Sequence, residues 1–174
     1  MFACAPKQNA CETQITVPLA FSSAADQVTA RTFGDSCANA IGVISIASEE
    51  GHVLWAWAAP LHPTFGNLFE PGGDADKRVA EQFIDRWANM RAVTTQEAPL
   101  WPERAAGPMG GAETTLERGL YEDIRARNLP MACALTGVAR ETCVFYEPAA
   151  AAAAPLVVRD IPAGPAPVEP ADAH

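Results

Sequence analysis

Apolar positions change period along this chain, from two, to between three and four, and back to two. Gln14 to Phe21 alternates and is β-branched, which predicts a strand, with Pro18 confining it to a sheet edge. Ser22 to Asn39 is small and polar, and Gly34-Asp35-Ser36 marks a turn. Ala40 to Ala47 and Val53 to Ala59 are two further strands, and Glu49-Glu50-Gly51-His52 joins them as a hairpin. Pro60, Pro63 and the stretch from Gly66 to Gly73 predict an irregular connection.

The period then lengthens. Val79, Phe83, Trp87 and Met90 recur at helical spacing, so a helix is expected from about Ala75 to Met90, capped by Asp74 or Asp76. Thr94 to Gly111 is rich in Pro and Gly and predicts a long surface crossing. Thr114-Thr115-Leu116-Glu117 fits a capping box for a second helix, with Thr114 as cap, Leu116, Leu120 and Ile124 pointing inward, and Asn128 and Pro130 at its end. Met131 to Leu135 and Arg140 to Tyr146 read as two strands around Thr136-Gly137-Val138, and Leu156 to Ile161 as a last short one. Strands, two helices, then strands predict an α+β fold, an antiparallel sheet of hairpins with two helices packed on one face. Residues 13–161 form the single domain, 1–12 an N-terminal tether, and 162–174 a disordered or polyproline-like Pro/Ala-rich tail.

Composition narrows the function classes. The 174 residues are 49% hydrophobic, enough for one domain with a core. Twelve Lys plus Arg stand against twenty-one Asp plus Glu, a net charge of −9. That balance argues against nucleic acid, since neutralising phosphate needs clustered basic residues. No stretch reaches the ~18 consecutive apolar residues of a membrane span, and the run Ala149–Ala154 ends at Pro155.

Five cysteines, Cys4, Cys11, Cys37, Cys133 and Cys143, are an odd number. Cys133 and Cys143 flank the Gly137 turn symmetrically about Val138, so strand pairing there sets them opposite, within disulfide reach. Cys11 and Cys37 are then left for a second bridge, although four cysteines allow three pairings and spacing alone does not select one. In an oxidising compartment each bridge contributes ~2–4 kcal/mol.

Cys4 is the odd one out, and it follows Ala3. Ala3-Cys4, with the polar stretch Ala5-Pro6-Lys7-Gln8-Asn9-Ala10 behind it, resembles the lipobox of bacterial lipoproteins, although Phe2 stands where a small residue is usual. The resemblance covers four residues and implies lipidation of Cys4 and a periplasmic or outer-membrane-anchored domain, touching the membrane only through its lipid. Met1 and Phe2 alone precede it, too few for the apolar stretch of an export signal. Either an upstream segment lies outside this sequence, or Cys4 is an ordinary cysteine near a cytosolic N-terminus.

Chemistry-bearing residues are sparse. Trp55 and Trp57 lie two apart on a strand and share a face, either as an aromatic platform for a partner or as core cover. His62, in Pro60-Leu61-His62-Pro63, sits where it could edge a cleft or simply occupy a loop. Arg125, Arg127 and Arg140 could together hold an anion. No cysteine pair has zinc-knuckle spacing, and His52, His62 and His174 do not pair at ligand spacing, so no metal or other cofactor is expected. Neither a Gly-x-Ser-x-Gly nucleophile elbow nor a phosphate loop occurs. The expected function is therefore a non-enzymatic envelope domain that binds a protein or cell-envelope component. The alternatives are an extracytoplasmic enzyme acting on a wall or small-molecule substrate, and a cytosolic α+β protein with free thiols.

Overall fold

The structure, a computed structural model, describes residues 11–69, 77–101 and 111–161. Cys4 with most of the expected tether, the caps Asp74 and Asp76, and the tail from Pro162 lie outside the described residues. The α+β class holds, and its strands divide into two antiparallel sheets.

The first sheet is a meander of β1 (Thr13–Leu19), β2 (Asp26–Phe33), β3 (Ile41–Ala47) and β4 (Val53–Pro60), hydrogen-bonded in that order. Ile15, Val17 and Leu19 of β1 turn inward, and Pro18 lies on the edge strand, where its missing N–H costs no ladder bond. β2 falls in the stretch read as small and polar. It alternates cleanly, but its inner residues after Asp26 are Val28, Ala30 and Thr32, too small or polar to stand out. Thr32 is buried because its hydroxyl donates to the Cys11 carbonyl at 2.9 Å. A register shift near Ile46 and Ala47 inserts one extra residue in β4, so that Leu54 packs inward beside Trp55.

Two helices follow. α1 (Leu61–Phe65) is one short turn in the segment expected to be irregular; Pro60 precedes it and Pro63 lies in its first turn, positions that need no backbone N–H. α2 (Lys77–Ala88) is the helix expected from periodicity, and it buries Ala80, Phe83, Ile84, Trp87 and Ala88.

The second sheet runs β5-β7-β8-β9-β6, with β5 (Arg91–Thr94), β6 (Ala112–Glu113), β7 (Pro130–Gly137), β8 (Arg140–Glu147) and β9 (Ala152–Asp160). Both its faces are covered. Ala132, Ala134 and Val144 join the core that includes α2 and the first sheet. Met131, Cys133, Cys143 and Phe145 alternate to the other face, with Tyr121 and Ile124 of α3 (Arg118–Ala126). Burial on two faces explains the unbroken apolar runs of β7 and β8. α3 departs from its expected start. Thr114 does not cap it: its hydroxyl donates to the Leu156 carbonyl at 2.7 Å, and Glu117 occupies the cap position without a side-chain bond. Leu120 is exposed, and Tyr121 takes the inward place, its hydroxyl donating to the Pro99 carbonyl at 2.8 Å.

Trp87 joins the layers. Its indole N–H donates to the Leu135 carbonyl of β7 at 2.9 Å, while its ring packs edge-on to Trp57 of β4 and Phe65 of α1, each 5.9 Å away. Gly42 of β3 makes room for it. A Cβ there would stand 2.6 Å from Leu61 Cδ2 and 3.0 Å from the Trp87 ring. Trp87→Ala should therefore cost about 3–5 kcal/mol in urea unfolding, and Gly42→Ala about 1–3 kcal/mol. Gly119→Ala, which meets open space in α3, should instead gain up to about 1 kcal/mol. Equal effects at the two glycines would contradict this packing.

Candidate functional site: an apolar cavity beside α2

The side of α2 next to its buried stripe faces a cavity of about 500 Å³. Val79, Gln82, Phe83 and Arg86 lie three or four residues apart and so share that side. Opposite them stand Leu135, Gly137 and Val138, where β7 turns into β8. The register shift between Leu135 and Gly137 and the Thr136–Thr142 hydroxyl contact of 2.9 Å fix the local course of this hairpin. Phe65 and Gly66 close the third side as α1 ends, Gly66 at φ +62°, a left-handed backbone that suits glycine.

The lining is apolar except at one edge. Phe65 and Phe83 pack against each other with ring centroids 4.7 Å apart and planes inclined by 59°, and both are nearly fully buried. Val138 is 76% exposed at the hairpin tip, a large apolar side chain that folding does not cover. Gln82 and Arg86 carry the polar side chains of this lining, one helical turn apart. Among the described residues Arg86 has no carboxylate partner. Arg78, at the start of the same helix, likewise has none among the described residues, whereas most arginines of the second sheet have one. Glu141 accepts from Arg91 at 3.1 Å and from Arg159 at 2.6 Å, Arg127 pairs with Glu147 at 2.7 Å, and Arg140 pairs with Glu113 at 2.8 Å and Asp160 at 3.2 Å. Arg125 donates to the carbonyls of Ala98 and Gln96. Arg125, Arg127 and Arg140 are thus engaged within the chain and do not converge on an anion.

Trp55 and Trp57 both lie half-buried against the first core, and Trp57 backs the cavity at second hand through Phe65 at 6.3 Å. His62 is half-buried on α1, and its Nδ1 is buried with no hydrogen-bond partner among the described residues. Cys133 and Cys143 face each other in register and are bonded, with Cα atoms 4.0 Å apart; Cys11 and Cys37 are bonded with Cα atoms 4.9 Å apart. These two bridges point to an oxidising, extracytoplasmic location. Glu141 lies beside Cys133 and Cys143, with its ligand atom within 4.8 Å of theirs, but sulfurs joined to each other offer no thiolate to a metal. The cavity itself was not foreseen. Its helical half is visible as the Val79-Phe83 and Gln82-Arg86 spacings, but nothing local says that the Val138 turn lies across from them.

A second cavity, of about 280 Å³, gathers Ser22, Ser23, Asp26, Ser48, His52 and Tyr146. Serine, histidine and aspartate side by side invite a hydrolytic reading, which the hydrogen bonds refuse. Both serine hydroxyls donate to the Asp26 carboxylate, at 2.8 and 2.9 Å, and both backbone N–H groups add to them. A nucleophile needs its proton taken by a base such as imidazole. Here the acceptor is a carboxylate that closes the β1–β2 turn. Burial pushes the Asp26 pKa up, and the bonds from Ser23 and Ser22 outweigh it, holding the group below its usual range.

No protein-family model matches the chain, and comparisons with curated proteins and with solved structures found no match.

Because the folded pKa of Asp26 is depressed, its contribution is complete above the unfolded value of about 3.9 and is lost as pH falls through the folded value. Asp26→Asn should cost about 1–3 kcal/mol at pH 7, and the gap from the native chain should narrow on going to pH 3 in urea titrations. A gap that stays constant would show that the charge plays no part.

Proposed function

We propose that the chain is a non-enzymatic binding domain of the bacterial cell envelope, tethered by a lipid on Cys4, and that it holds an apolar part of an envelope component in the cavity beside α2. The cavity carries this reading. Its size falls in the ~300–1,000 Å³ range of small-molecule sites. Its walls are the apolar faces of Phe65, Phe83, Leu135 and Val138, and Val138 extends them into solvent. An exposed apolar edge rimming an apolar cavity is a surface suited to a ligand.

The cysteines support the compartment. Bridged cysteines persist where no thiol buffer reduces them, and both pairs here are bonded. Among the described residues no helix is long and apolar enough to cross a membrane.

Intact mass of the native protein, with and without reductant, should show two disulfides and a diacylglyceryl group on Cys4; five free thiols would place the protein in the cytosol instead. A neutral fluorescent probe such as N-phenyl-1-naphthylamine should bind saturably at one site. Val138→Asp, at an exposed turn that tolerates charge, should weaken it about tenfold, the loss of one valine contact. Absence of saturable binding would sink the cavity as a binding site.

A further inference from the structure

We infer that the ligand of this cavity is a single alkyl chain ending in a carboxylate, with the chain on Phe83 and Val138 and the head group on Arg86 and Gln82. The inference rests on the binding role proposed above and names the ligand class.

Size argues for one chain. At ~30 Å³ per water-sized group, a cavity of about 500 Å³ takes on the order of fifteen heavy atoms. That suits one medium-length chain with its head and is too little for a two-chain lipid. The distribution of polarity argues for an amphiphile held in one orientation. The α1 side and the β7–β8 side offer only apolar side chains or glycine, and the side-chain donors lie together on α2. Gln82 precedes Arg86 by four residues, so an amide N–H and a guanidinium fork lie over neighbouring turns of one helix face.

Charge argues for an anion. The chain carries a net charge of −9, yet Arg86 has no carboxylate partner among the described residues. A guanidinium at the edge of an apolar cavity gains most from an anion that brings its own apolar body, because the body excludes the water that would screen the pair. A carboxylate fits better than a phosphate. It matches the fork with two parallel N–H···O bonds and brings one negative charge, whereas a phosphate monoester brings about −1.5 to −2 into an already acidic molecule.

Calorimetry on the full chain in ~0.15 M salt tests this with octanoate, decanoate, dodecanoate, decanol and decyltrimethylammonium, each below its micelle concentration. Decanoate should bind at one site at least about tenfold more tightly than decanol, the weight of a charge-assisted bond, and the cationic amphiphile should not bind there. Affinity should rise about fourfold per methylene until the cavity is full, then level off. Arg86→Gln, on the exposed side of α2, should bring decanoate to the level of decanol and leave decanol unchanged. Equal binding of decanoate and decanol, or decanoate binding untouched by Arg86→Gln, would overturn the carboxylate assignment and leave the apolar site standing. No binding by any of the five would remove both.

Discussion

The two sheets of this molecule meet across α2, and the contact that ties both of them to that helix is the Trp87 side chain. Its N–H reaches the Leu135 carbonyl of the second sheet, while its ring presses on Trp57 and Phe65 and over Gly42 of the first. An indole can do this because it has a large apolar body and a single polar atom that needs one acceptor. Seating Trp87 sets the rotation of α2. Phe83 and Ile84 then fall inward, and Val79, Gln82 and Arg86 fall toward the β7–β8 turn, so the cavity is a consequence of how the tryptophan is seated.

How much of this was legible depended on whether local signals agreed with one another. In β3 and β4 the alternation and the Gly51 turn coincide, and in β7 and β8 the apolar runs bracket Gly137, so both hairpins could be read directly. α2 was visible through Phe83 and Trp87. Elsewhere distant partners decided. β2 owes its place to neighbours on both sides, since Val28, Ala30 and Thr32 carry little hydrophobic signal. β9 starts at Ala152, inside a run whose residues favour helix; pairing of Ala153 with Tyr146 and Ala154 with Phe145 overrides that preference. Thr114 had the look of a cap until Leu156 offered its carbonyl. The cavity belongs to this second group, because its two halves lie about fifty residues apart.

The acidic composition and the cysteines act at different levels. The −9 charge assigns no site. The bridges fix the start of β1 beside the turn before β3, and the middle of β7 beside that of β8, and they point to where such bonds survive. Most arginines of the second sheet and α3 are spent on neighbouring carboxylates or carbonyls. Against that background Arg86, beside an apolar cavity and without a carboxylate partner among the described residues, is the residue to which the proposed ligand is assigned.

The most direct measurement is the two-dimensional amide NMR spectrum of the ¹⁵N-labelled chain titrated with decanoate. Binding as described here moves the resonances of residues 79 to 86 and 135 to 138 together along one saturating curve, and leaves the outer face of the first sheet, including Thr16, Thr29 and Ser45, unchanged. Shifts confined to that outer face, or no saturable shifts at all, would contradict the assignment of the cavity beside α2 as the binding site.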